Sequence, residues 1–250
     1  MPNVNFIETT PSKNLAEYVE AFWHCRISEE GMLRLLPTAS CDLMIHSSKK
    51  GVRTVLIGPM TVAQTTQLQP GELFVGARFR PGCRIDLSDT LFTSIKNSKT
   101  SDFSSKVMQL GHFKNLSQGD SLEAIYRNLI RLVETLLGEG FITRDSIVDR
   151  FLDMAESTQD SHKVANMLNE LPISARQFQR RFLRYSCVTP KEFLRLHRQL
   201  RATNDMRESG MTITKIASLH GYTDQAHFSH DFHELAGIPP TALEKELTLK

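Results

Sequence analysis

Nine basic side chains crowd into one stretch near the C-terminal end of this 250-residue chain. Arg176, Arg180, Arg181, Arg184, Lys191, Arg195, Arg198, Arg201 and Arg207 stand against only Glu192 and Asp205, so residues 174–207 carry +7. A positive field that dense suits a polyanion. The chain average conceals it: residues 1–154 hold 17 Lys/Arg and 17 Asp/Glu, and the whole chain nets +2. Arg and Gln are also the side chains whose forked groups match base edges, Arg at guanine O6/N7 and Gln at adenine N6/N7.

Other chemistry-bearing residues form weaker patterns. His220, His227, His230 and His233 cluster, and His227/His230 stand at i, i+3, a spacing that could hold a metal. No H-E-x-x-H, P-loop or G-x-S-x-G accompanies them, so neither an enzyme nor a metal or other cofactor is expected. His24, Cys25, Cys41, Asp42 and His46 could form a sensor site on paired strands. Successive strand residues alternate faces, so His24 and Cys25 point opposite ways and a satisfied core is the expectation. The four cysteines, Cys25, Cys41, Cys83 and Cys187, show no C-x-x-C pair, and disulfides are not expected. Trp23, Phe74, Arg78, Phe79 and Arg80 combine aromatic surface with fixed cations and are candidates to line a pocket for an anionic or aromatic effector.

The elements that must carry these residues have two textures. Up to about residue 93, short apolar runs at 42–46, 54–57 and 73–79 are broken by Gly51, Gly58-Pro59, Pro70-Gly71 and Pro81-Gly82. That rhythm predicts an antiparallel β-rich domain, cupin-like or barrel-like. Residues 18–25 read as helix or strand. From residue 101 the period is helical. Leu122, Ile125, Leu129, Leu132 and Leu136 make one stripe over 121–137, widened by Ile130, Val133 and Leu137, and core packing is a better account of it than a coiled coil. A second helix is expected over 144–156. The polar link 157–161 then divides a regulatory domain, 1–157, from an all-α domain, 158–250, giving an α+β chain.

The C-terminal domain contains a repeat. Shifted by 50 positions, Phe178 falls on Phe228, Phe182 on Phe232, Val188 on Ile238 and Pro190 on Pro240. Each copy reads as a helix, a turn and a second helix whose two phenylalanines share a face at i, i+4. Ser174 with Gln177 suits a capping box, and Asp224 suits an N-cap. With the phenylalanines inward, Arg176, Gln179 and Arg180 face out in one copy, and Gln225, His227 and His230 in the other. Between the copies, Thr189, Pro190 and Glu192 start a helix over 190–209 that Gly210 stops. Its length of roughly 30 Å approaches the ~34 Å between successive major grooves on one DNA face.

These residues closely resemble the AraC/XylS family of bacterial transcription regulators. The match runs through Ile216-Ala217, Gly221-Tyr222, His227-Phe228-Ser229, Phe232 and Gly237-Ile238-Pro239-Pro240, with Ser174–Phe182, Thr189-Pro190 and Arg198-x-x-x-Ala202 in the first copy. Trp23, Leu36-Pro37, Cys41-Asp42-Leu43, Gly58-Pro59 and Gly76-x-x-Phe79-x-Pro81-Gly82 resemble the β-rich regulatory domain of one branch. The resemblance implies a sequence-specific regulator acting on double-stranded promoter DNA; without an apolar run of roughly 18–20 residues or a secretion-signal pattern in residues 1–10, a cytoplasmic location is expected. Its N-terminal domain would bind a small effector, dimerise, or serve only as a protein-interaction module. RNA polymerase is a further candidate partner, and no membrane association is implied. Base-reading positions carry over to Arg176, Gln179 and Arg180, and to Gln225, Ala226, His227 and His230. Arg181, Arg184 and Ser229 suit phosphate contacts. Two residues depart from the pattern. His230 stands where Arg is common, and imidazole reaches less far. Cys187 stands where Gly is common, so the first unit is expected to end differently from the second.

Overall fold

The structure, a computed structural model, describes residues 4–86, 95–97, 101–102, 116, 119–157, 168–208 and 210–243. The N-terminal part is antiparallel, as its turn-punctuated runs require. Its main sheet has the order β1-β2-β7-β4-β5-β9. These strands are β1 (Val4–Thr9), β2 (Val19–Ile27), β4 (Cys41–Ser48), β5 (Gly51–Ile57), β7 (Leu73–Phe79) and β9 (Ser101–Asp102). A ribbon of β3 (Gly31–Leu35) and β6 (Gln64–Leu68) packs on one face of the sheet through Leu33 and Leu68. A short pair, β8 (Arg84–Ile85) with β10 (Ile142–Thr143), adjoins the other side. The ambiguous segment 18–25 is strand from Val19 onward. Ser101–Asp102, expected to open the helical half, instead pairs with β5.

Strand alternation divides the apolar side chains into two cores. Phe22, Leu43, Ile45, Val75, Ala77 and Phe79 face helix α1 (Leu122–Gly138), while Trp23, Cys25, Met44, Val55 and Phe74 face the ribbon. Helix α1 is capped by Ser121. It buries Ile125, Leu129, Leu132, Val133 and Leu136 against the sheet, so the leucine stripe serves the domain's own core. Gly76 is fixed by sterics: a Cβ there would lie 2.3 Å from the Trp23 ring.

Five further α-helices follow among the described residues: α2 (Ser146–Ser157), α3 (Ala175–Ser186), α4 (Pro190–Glu208), α5 (Ile213–Leu219) and α6 (Gln225–Ala236). The first helix expected for the first copy, and most of the polar link, lie outside the described residues. Helix α2, which the sequence places in the first domain, buries Val148, Phe151, Leu152 and Ala155 in a cluster with Phe178, Phe182 and Phe193 of α3 and α4. A separate cluster holds Phe228, Phe232, Ile216, Ala217, Tyr222, Ala202 and Met206. No described helix is long and apolar enough to cross a membrane.

Candidate nucleic-acid interface

The two copies fold by the same local rules. Ser174 Oγ accepts the Gln177 N–H while the Gln177 side chain accepts the Ser174 N–H, a complete capping box. At α6, Asp224 Oδ1 accepts the His227 N–H at 2.7 Å. Each cap satisfies helix-start donors and contributes about 1 kcal/mol. Gly221 occupies the turn before α6 with φ 70°, which favours glycine. Phe178/Phe182 and Phe228/Phe232 are fully buried, which leaves the opposite faces of both helices in solvent.

Arg176, Gln179 and Arg180 are exposed on α3, and Gln225, Ala226, His227 and His230 on α6; Ser229 is half-buried. Local bonds already orient two of them. Thr214 Oγ1 donates to Gln225 Oε1 at 2.8 Å, which turns the amide's N–H groups outward. His227 Nδ1 accepts the Thr223 N–H at 3.4 Å, and its ring meets Tyr222 edge-on. Arg184 is exposed at its side chain, while its carbonyl accepts from Arg84 at 3.4 Å.

Tertiary contacts change the meaning of the basic stretch. Arg181 Nε lies 2.7 Å from buried Asp145, the residue that also caps α2 through the Ile147 and Val148 N–H groups. Arg195 bridges Asp231 and Glu234, and Arg198 reaches Asp231. Three of the nine cations are therefore matched by acids that lie outside the segment. The connecting rod, α4, starts as expected, with Thr189 and Glu192 bonded reciprocally at 2.8 and 3.2 Å. Glu192 also binds Lys96 of the N-terminal domain, and these bonds hold its carboxyl below the usual range despite partial burial.

Cys187 corrects an expectation. The first unit ends as the second does, with Cys187 left-handed at φ 59° and Gly237 at φ 71°. Packing outweighs the strain: the Cys187 side chain is buried in the N-terminal domain's main core, together with Cys41 and Cys83. Burial pushes its thiol up to about 12 and that of Cys83 to about 11, so both are held as thiols rather than as reactive thiolates.

The five candidate pocket residues are not brought together. Trp23, Phe74 and Arg78 share the ribbon face. Phe79 points into the opposite core, and Arg80, past the strand end, donates to the Ala16 carbonyl. On the ribbon face Trp23 Nε1 donates to buried Asp42 at 2.7 Å, and Arg78 pairs with Glu8 at 2.7 Å. Burial raises the Asp42 carboxyl, opposed by Arg78 and the Trp23 bond. Asp42 and Cys41 lie on opposite faces, and the described residues contain no group of three or more metal-ligating side chains.

Two exposed, Phe-anchored helices joined by a long helix, the second of them preceded by α5 and a tight turn, are the arrangement of a helix-turn-helix DNA-binding fold. Residues 167–246 match a family described as a helix-turn-helix domain, and residues 7–100 a domain of unknown function, DUF6597. The helix-turn-helix match covers the C-terminal third of the chain, the part whose motifs resemble the AraC/XylS family of transcription regulators. The chain is 26% identical over 171 residues to the HTH-type transcriptional regulator GbdR of Pseudomonas aeruginosa, covering 63% of this chain and 46% of that protein. It is 33% identical over 89 residues to the uncharacterized HTH-type transcriptional regulator YidL of Escherichia coli K12, covering 36% of this chain and 30% of that one. The match thus spans less than half of each relative. Among solved structures, ToxT of Vibrio cholerae O395 aligns over 99% of this chain and 98% of its own at 13% identity and a TM-score of 0.46.

Proposed function

We propose that this protein is a sequence-specific transcription regulator that inserts α3 and α6 into successive major grooves of promoter DNA. The observation that carries the reading is the pair of exposed helices, each anchored by two buried phenylalanines, whose units a 19-residue helix joins. At about 1.5 Å per residue the rod is roughly 28 Å long, which suits reading heads one helical turn apart. Arg176, Gln179 and Arg180 read bases from the first helix, and Gln225, Ala226, His227 and His230 from the second. Arg184 and Ser229 contact phosphate. Arg181 does so only by sharing its charge with Asp145.

The DNA-binding unit begins at about residue 145, because α2 completes the core beneath α3. The N-terminal domain touches both heads. Arg84 and Lys96 reach the first head and the start of the rod, while the Ala63 N–H donates to Leu235 O at 2.7 Å and Arg34 to Ala236 O at 3.3 Å beneath the second. A small effector or a second copy acting on that domain is therefore felt at both heads.

Footprinting of the full chain on duplexes it selects from a random pool tests the reading. The expected result is two protected patches whose centres lie about one helical turn, ~10 base pairs, apart on one face. A single patch, or protection without sequence preference, rejects it.

A further inference from the structure

The rod meets the second head through a partly buried charge cluster. Arg195 and Arg198 stand at i, i+3 on α4 and converge on one carboxylate, Asp231 of α6. Arg195 Nε lies 2.6 Å from Asp231 Oδ1, and Arg198 Nη2 lies 3.4 Å from Oδ2. The Tyr222 hydroxyl donates to the same Oδ2 at 2.9 Å, and the Arg198 guanidinium lies 4.2 Å over the Tyr222 ring. Arg195 adds a 2.7 Å contact to Glu234. Farther along the rod, Asp205 Oδ2 meets His220 Nε2 at 2.7 Å, at the end of α5. Both helices of the second head are thus tied to the rod, at points about 15 Å apart along it.

Asp231 is 8% exposed and Tyr222 5%. Burying an ion pair there carries a desolvation cost that its attraction only about offsets, so such pairs are poor sources of stability. Their best-attested use is to fix register. An apolar contact of the same size tolerates sliding, whereas a carboxylate held by two guanidiniums and a phenol has one low-energy geometry.

We propose that the Arg195–Asp231–Arg198–Tyr222 cluster is the positioning device that sets the second reading helix relative to the first, and so the spacing of the two DNA boxes the protein accepts. This rests on the two-headed reading above. The cluster lies on the buried side of α6, and the base-reading residue it meets is His227, whose ring packs edge-on against Tyr222.

The test uses the full chain and a duplex that the wild type selects from a random library about 40 base pairs long, ample for two grooves one turn apart. Affinity is measured for that duplex, for versions with one or two base pairs inserted or removed between boxes, and for a duplex keeping the first box alone. One inserted pair moves the second box by about 3.4 Å and rotates it by about 34°. The wild type is expected to lose about 10- to 100-fold, because simultaneous engagement is forbidden. Asp231→Asn is expected to vary by no more than about threefold across the spacings while keeping the wild-type affinity for the first box alone. Arg195→Gln opens one arm and leaves the buried phenol in place, so a folding defect in Asp231→Asn leaves the question answerable. Arg195→Lys, which keeps the charge but not the fork, restores part of the preference lost in Arg195→Gln.

Spacing profiles of both variants that run parallel to the wild type, at whatever affinity, overturn the positioning role and leave two-headed binding standing. A wild type that binds the first box alone as tightly as the paired boxes overturns both.

Discussion

The two reading heads share a local design and differ in what holds them. Helix α3 carries four arginines and no acid, whereas α6 carries three histidines with Asp231 and Glu234. The first head is seated on the N-terminal side, through α2, the Asp145–Arg181 pair and the burial of Cys187 among core residues of the sheet domain. The second is tied to the rod, by Asp231 and His220. Like Phe anchors and N-caps therefore support unlike heads: one with four arginines on its exposed helix, seated on α2 and the N-terminal core, and one with no Lys or Arg on that helix, tied chiefly to the rod with two further bonds from the N-terminal domain.

The largest expected effect tests whether the two cores are separate. Phe178→Ala and Phe228→Ala each remove a fully buried ring and should cost about 3–5 kcal/mol. Hydrogen exchange should show Phe178→Ala loosening α2 and α3 together, and Phe228→Ala loosening α5 and α6. Global loss of protection in both variants would merge the cores into one cooperative unit.

Next comes the inequality of the heads on DNA. Arg180→Ala should weaken binding to the selected duplex by about 1–3 kcal/mol and relax preference at one or two adjacent positions. His230→Ala should cost less. A larger loss for His230→Ala in equilibrium titrations reverses the ranking. Arg184→Ala should weaken selected and unrelated DNA alike and reduce the salt slope by about one unit. Arg181→Ala should change that slope less, because Asp145 already holds its charge.

Cys187 sharpens the comparison at the helix ends. A left-handed non-glycine residue is strained by about 1–2 kcal/mol, and the buried side chain offsets part of that. Cys187→Gly relieves the strain while losing the burial, and should lie within about 1 kcal/mol of wild type. Cys187→Ala keeps the strain, loses the sulfur and should be the less stable variant by thermal melting. The opposite order would mean that the backbone there is not left-handed.

The smallest effect concerns acid. Burial lowers the pKa of His197 and His220, with Glu156 and Asp205 opposing and Arg201 reinforcing the shift; burial likewise lowers that of His46, against Glu72. Folded values below the unfolded one mean that the folded state binds fewer protons. Their stabilising contribution is full above about pH 6.5 and is lost as pH falls through the folded values. Chemical denaturation between pH 7 and pH 5 should show the fall, and His220→Gln should flatten it. Two of these histidines lie on the rod and the second head, so that end should loosen first.

Much of this was legible from residue order because the rules involved are local. Helix periodicity, the Ser174/Gln177 box, the Thr189/Glu192 start and the Phe pairs each need only residues within one or two turns, and each appears where the sequence puts it. The same rule of alternation that separated His24 from Cys25 also separates Phe79 from Phe74 and Arg78, so the scattered pocket set was excludable on strand parity once 73–79 was assigned as one strand. Ser101–Asp102 was not legible: two residues carry no period, and only pairing with β5 makes them a strand.

By itself, then, the sequence determined the helix-turn-helix class of the C-terminal region, its two Phe-anchored exposed helices, their caps and the long helix between them. The tertiary structure decided which acids hold Arg181, Arg195 and Arg198. Asp231 stands 36 residues beyond Arg195 and Asp145 the same distance before Arg181, and no local pattern pairs charges over that separation. It also decided the end of the first head, where burial of one thiol in the other domain's core outweighs the preference for glycine that the chain's own repeat implies.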